Sequence, residues 1–147
     1  MSLSLRERLL QTLASRLTPI AQSEGAQFLR SPTTAVPRES SPAVLLFPEA
    51  EVIAQRANDR IERHLVVRVV ALARATATES AEAIADRLMT ACHRALFVDP
   101  NLGGLALALQ ELDCDWESED ADATAVALPA RYQITYRTLI HDLTQKG

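Results

Sequence analysis

Leucine recurs every four residues at Leu5, Leu9, Leu13 and Leu17, and Leu10 and Ile20 widen that stripe into one face of an amphipathic helix. Ser4 and Glu7 have the S-x-x-E spacing of a capping box, in which each side chain satisfies a backbone N–H at the helix start. Pro19 disfavours helical geometry at Thr18 and Gly25 is a permissive stop, so the helix is expected to end between them. Residues 26–30 then read as a short strand. Residues 31–42 hold Pro32, Pro37, Pro42 and several hydroxyls, the composition of a long surface arm. Such an arm is a candidate contact element, and a tolerated insertion fits it equally.

A short apolar run at 43–47 is expected to stop at Pro48. A polar stretch through Asn58 and Asp59 leads to the strongest strand signal, at 61–73. Its centre, Leu65 to Leu72, is β-branched and nearly continuous, as when both faces of a strand are covered, so it should lie centrally in a sheet. A second helix is expected from Thr76, whose partner Glu79 repeats the capping-box spacing, to about Phe97. Ala81, Ile84, Ala85, Leu88, Cys92, Ala95 and Leu96 form its apolar face. Asp99-Pro-Asn-Leu-Gly-Gly104 supplies turn chemistry, because Pro100 stops a helix and the glycines allow positive φ. The rest reads as a hairpin of 105–117 and 125–139 joined across 118–124. Val126, Leu128, Tyr132, Ile134 and Tyr136 share one face of its second strand, and Arg131, Gln133, Thr135 and Arg137 the other. The order α-β-β-β-α-β-β is that of an α+β fold, two helices packed on a mainly antiparallel sheet.

Composition narrows the class. At 147 residues, 48% hydrophobic and 23% charged, the chain suits a single domain over 1–147 and is too apolar to be wholly disordered. No run approaches the roughly 18 to 20 apolar residues of a membrane span, and the first residues lack a basic segment followed by an apolar core. Synthesis in the cytosol is therefore expected. Cys92, Cys114 and the histidines at 64, 93 and 141 fall into no metal-ligand spacing, so neither a zinc site nor a disulfide framework is signalled, and no cofactor is expected. Cys92 and His93 are adjacent, but neighbouring helical residues point about 100° apart, and Cys92 falls on the apolar face as a buried, inert thiol. His64 reads as a satisfied or surface histidine. Phosphate-binding, nucleophile-elbow and HExxH motifs are missing from the sequence, so a non-enzymatic role is expected.

The mild net charge of −4 hides a strong asymmetry. Residues 1–75 carry ten basic and seven acidic groups, residues 76–147 five and twelve, and 111–122 holds seven acidic groups with no basic one. Glu111, Asp113, Asp115, Glu117 and Glu119 alternate along the expected strand, which would place all five carboxylates on one side. Same-face neighbours on a strand are about 7 Å apart, close enough to repel in ordinary salt. A solvated face partly neutralised by Arg131 and Arg137 is one reading. Divalent-metal binding suits a straight strand poorly, since calcium gathers its oxygens around a point. A third reading is a negatively charged functional surface, such as the wall of a DNA passage that must not stick. The Arg30/Arg38 arm is a possible salt-dependent DNA contact, with only two aromatics in the first 75 residues to support it. Trp116 reads as the aromatic core of the hairpin with Tyr132 and Tyr136.

The leading amphipathic helix, the Pro-rich arm, the strand His64-Leu-Val-Val-Arg-Val-Val-Ala-Leu72 and the phrase Ala95-Leu-Phe-Val-Asp-Pro-Asn-Leu-Gly-Gly-Leu105 together resemble the tail terminator proteins of long-tailed bacteriophages and prophages, the minor tail protein U type. The acidic stretch around Trp116 and the closing Tyr132-Gln-Ile-Thr-Tyr-Arg-Thr138 extend the likeness over about residues 5–140. The resemblance implies a structural subunit that forms a ring with copies of itself, expected to be a hexamer, on the finished end of the tail tube. There it would stop tube polymerisation and present the surface for head attachment. Its implied partners are the tail tube protein and a head-completion protein, with DNA passing through a central channel without specific binding, and its implied location is the virion tail. The acidic strand then becomes a candidate channel or inter-subunit surface. A head-completion or head–tail connector protein is the neighbouring alternative, and a small cytosolic metal-dependent enzyme is the alternative from another class.

Overall fold

In the computed structural model, which describes residues 2–37, 41–119 and 122–147, helix α1 spans Leu5–Ser23. Leu5, Leu9, Leu13, Leu17 and Ala21 are fully buried, so the four-residue stripe is the face applied to the core. The Ser4 hydroxyl accepts the Glu7 N–H at 3.0 Å, one half of the expected box, while the Glu7 carboxylate goes to Arg30 instead of reaching back. The helix runs through Pro19. Pro19 and Ser15, the residue whose carbonyl loses an amide partner, are both exposed, where water can substitute. Gly25 then ends the helix at φ +73°, with the Gly25 N–H donated to the Gln22 carbonyl and the Ala26 N–H to that of Ala21, a Schellman arrangement.

Strand β1 (Gln27–Arg30) runs parallel to β2 (Ala43–Ala57), which pairs antiparallel with β3 (Arg60–Arg74). The 43–47 run does not stop at Pro48. Instead β2 continues for ten more residues that the polar composition suggested were loop. Pro48 is tolerated because β1 pairs only with Ala43 to Leu46, so its missing N–H falls where β2 has a neighbour on one side only, and a bulge follows at Glu49. Asn58 takes the left-handed φ of 57° in the two-residue turn to β3, as the first central residue of a primed hairpin turn does.

Helix α2 covers Ala81–Phe97 with Ser80 as its N-cap, the hydroxyl accepting the Ala83 N–H at 3.1 Å. It thus begins later than Thr76. The Thr76 hydroxyl does accept the Glu79 N–H, but the Glu79 carboxylate is taken by Arg87 and never reaches back, so the motif closes a separate turn. Strands β4 (Ala108–Cys114), β5 (Glu117–Glu119) and β7 (Asp142–Lys146) all pair with one long strand, β6 (Asp122–Leu139). The hairpin expected at 105–139 is therefore broken into β4 and β5 on one side and extended by β7.

The sheet order is β1-β2-β3-β6-β4, which puts β3 in the centre as its sequence required. Both helices lie on one face, over Leu65, Val67 and Val69 of β3 and Leu128, Tyr132, Ile134 and Tyr136 of β6. The molecule is an α+β fold of two layers, with a single large apolar core between helices and sheet. The opposite face carries a much smaller apolar cluster of Ala43, Leu45 and Val70, against which Val36 of the 31–42 arm is packed. The arm thus folds back over the sheet at that point.

Candidate functional site

A bulge decides the geometry of the acidic strand. Glu111 is opposite Tyr132 and Asp113 is opposite Arg131, so Leu112 is the extra residue and the alternation reverses across it. Glu111 turns to the helix face, where its carboxylate is 3.1 Å from Nδ1 of His93 on α2. Asp113 turns to the open face and accepts from Arg131 at 2.7 Å. The strand is interrupted at Asp115 and Trp116, and Glu117 resumes it in β5 opposite Ala127. The expectation that five carboxylates share one side is therefore corrected, because the bulge puts Glu111 and Asp113 on opposite faces of the sheet. Glu119 belongs to β5, but its side chain lies outside the described residues.

Trp116 also departs from expectation. Tyr132 and Tyr136 are buried, but Trp116 is 52% exposed at the break between β4 and β5, with Leu112 exposed nearby on the same sheet edge. A lone, half-exposed Trp among carboxylates is a surface feature and forms no part of the core.

Glu111, His93 and Tyr132 meet at a shallow cleft of about 230 Å³, also lined by Met89, Thr90, Cys114 and Ala130. His93 Nδ1 is 2.8 Å from the Tyr132 hydroxyl, and its ring lies against Phe97 at 4.7 Å. Cys114 borders the cleft, but partial burial, followed by the charges of Glu111, Asp115 and Asp113, pushes its thiol above its ordinary value. A protonated thiol is a poor nucleophile. Cys92 is fully buried and its thiol is pushed up to about 12 by desolvation, as expected for an inert core cysteine. Among the described residues no group of three or more His, Cys, Asp or Glu side chains is arranged to hold a metal ion.

On the open face Arg131 bridges Asp113 of β4 and Glu49 of β2, the latter at 3.0 Å. Its direct cross-strand neighbour is Arg68, a like-charge pair that would be unfavourable alone. Arg68 instead lies over the Phe47 ring at 4.8 Å, while Arg131 takes both carboxylates. Arg137, expected to neutralise the acidic strand, meets Glu62 of β3 at 3.4 Å, and Glu62 also lies 3.4 Å from His64. Arg30, a candidate contact residue of the arm, is held by two 2.7 Å bonds to Glu7 of α1. That bidentate pair holds the Glu7 carboxyl below its usual value, so Arg30 braces β1 against the helix. Arg38 lies outside the described residues.

The buried polar groups of the described residues, Arg63 and Thr138, belong to a network that the hydrophobic pattern by itself does not announce. Glu51 accepts from Tyr136 at 2.5 Å, from Arg6 at 2.6 Å and from Arg63 at 3.2 Å, and Arg63 also donates to the Thr138 hydroxyl. Arg63 and Thr138 are both buried. This network ties α1, β2, β3 and β6 together at the end of the core. Its signal was present: Arg63 falls in the same alternation as Ile61, Leu65 and Val67, an arginine on an inward-facing row. Glu51 was invisible because its segment read as loop.

Tyr132 and Tyr136 carry phenols raised well above 10, chiefly by burial, and for Tyr136 also by the Glu51 carboxylate. The unfolded chain therefore releases these protons first as pH rises. Stability from both phenols is fully present below about pH 10 and declines above it. Urea midpoints measured from neutral to strongly alkaline pH should fall from about pH 10 upward, and Tyr136→Phe should flatten that fall. An unchanged slope in both Tyr→Phe variants would place the titrating groups elsewhere.

No family model matches the chain, and no curated protein matches it. Among the described residues no helix is long and apolar enough to cross a membrane.

Proposed function

We propose that this chain is a structural ring subunit of the phage tail terminator type, which caps the growing end of a tail tube and offers the head-attachment surface. A ring that closes by rotation needs two different complementary patches on each subunit. The observation that supports this reading is the pair of unlike, open borders of one sheet. On one border stands the β4–β5 edge, acidic and carrying Trp116. On the other, β2 beyond Leu46 has, among the described residues, no strand partner except β3, and Val52 and Ile53 are exposed there. The charged side chains elsewhere are mostly engaged in pairs that brace the fold. The mechanism is steric and interfacial: bound subunits cover the tube face and leave a central passage for DNA.

The test combines solution mass by light scattering, with and without magnesium or calcium, with electron micrographs of tail tubes grown in the presence of the protein. The expected result is ring-sized assemblies at tube ends and tubes that stop elongating. Tubes that grow unhindered beside a strictly monomeric protein would sink the reading. Attachment to filled heads and not to tubes would move the chain to the head-completion class.

A further inference from the structure

We infer that copies of this chain join through Trp116 of one subunit and the groove between the C-terminal halves of α1 and α2 of the next. The inference rests on the ring reading above; it keeps the β4–β5 border as one patch and takes a groove on the helix layer, in place of the β2 border, as its complement. The groove holds about 510 Å³ and is lined mainly by Pro19, Ile20, Ala95 and Val98, with Arg16 at its border. Val98 is 80% exposed at the groove's rim. Arg94, one turn before Val98 on α2, is exposed and makes no ion pair among the described residues.

The two surfaces are complementary in shape class and in charge. Trp116 is a flat, rigid apolar group on a sheet edge, flanked in sequence by Asp115 and Glu117, both exposed. The groove is apolar along its floor. At its border the Arg16 charge is matched by Asp99 at 2.8 Å, and Arg94, four residues before Val98 on α2, is the exposed cation on the same side of that helix. Seating the indole in the groove would bring the Asp115 and Glu117 carboxylates toward Arg94. An aromatic anchor inside a polar rim is the usual anatomy of a protein interface. Knob and groove are different patches on different elements, one on the sheet edge and one on the helix layer. Used head to tail, such a contact is heterologous and builds a ring where its rotation closes. This assigns the acidic edge to the boundary between subunits and away from the channel wall. The bulges at Leu112 and at Glu49 fit that assignment, because they discourage the plain edge-to-edge strand pairing that would otherwise compete.

The contact can be trapped between two differently tagged chains, each carrying Cys114→Ser, one with Trp116→Cys and the other with Val98→Cys. On mixing under mild oxidation the expected product is the mixed disulfide, in excess over either homodimer. In the otherwise unmodified chain Trp116→Ala should weaken self-association about thirtyfold or more, as loss of an interface anchor does, with an unchanged circular dichroism spectrum. Arg94→Glu should weaken it, and Glu117→Arg in the same chain should restore part of the loss. A dominant Trp116→Cys homodimer would overturn the inference in favour of a two-fold contact. Rings that form normally in the Trp116→Ala variant and give no mixed disulfide would overturn the interface and leave the ring reading standing. A wild-type chain that stays monomeric both at its highest soluble concentration and on tail tubes would overturn both.

Discussion

Glu51→Ala is expected to lower the unfolding free energy by about 3–5 kcal/mol, the cost of breaking a buried charge network from one side. Two arginines and a phenol converge on that carboxylate. Removing it strands the Arg63 guanidinium, which is buried and, among the described residues, keeps only the Thr138 hydroxyl as a partner. Domains of this size have total stabilities of about 5–15 kcal/mol, so this one change removes a large share. Arg6 contributes less, since its side chain is over a third exposed and water can serve it. Urea denaturation of Glu51→Ala, Arg63→Ala and the double variant checks the argument. The double variant should be less destabilised than the sum of the singles, because the second substitution removes the charge left stranded by the first. A loss below about 1 kcal/mol for Glu51→Ala with an unchanged denaturant slope would mean that water reaches the site and the network is not a structural anchor.

Leu102→Gly tests which of two opposed effects governs the turn after α2. Leu102 sits at φ +52°, where a non-glycine residue carries strain of about 1 kcal/mol or somewhat more, and glycine would relieve it. The same side chain is completely buried in the main core, and removing a buried leucine side chain costs roughly 2–5 kcal/mol. Packing should therefore win, with a net loss of about 2–3 kcal/mol. The strain is tolerated because the turn is held independently. The Asp99 carboxylate accepts the Gly103 N–H and pairs with Arg16, interactions that hold it below its usual pKa. Thermal or urea unfolding of Leu102→Gly beside Leu102→Ala separates the terms. Leu102→Ala keeps the strain and opens most of the cavity, so it should be the less stable of the two. Wild-type stability in Leu102→Gly would show that the anchor contributes little.

The helices and the central strand were legible because their periodicity is set locally and reinforced by burial. Leucines at 5, 9, 13 and 17, the Ser4 cap and the continuous apolar run of β3 all point to one answer. The failures share a different origin. The polar half of β2 is a strand because β3 pairs with it over nearly its whole length, which no alternation in 48–57 announces. Thr76 and Glu79 have the right spacing for a helix cap, yet Arg87, eight residues on from Glu79, takes the carboxylate. The acidic alternation is a real pattern of the chain, but the bulge keeps it from being one face.

That last case marks the division most clearly. Sequence alone determined the α+β class, the apolar stripes and the concentration of negative charge around Trp116, since composition and period are properties of the chain. Only the tertiary structure decided where those charges point. A single extra residue at Leu112, imposed by pairing with β6, turns Glu111 toward His93 and Asp113 toward Arg131, and the break beyond Cys114 brings Trp116 to the surface. Register is a property of two strands together, and a shift of one residue exchanges the two faces of a sheet.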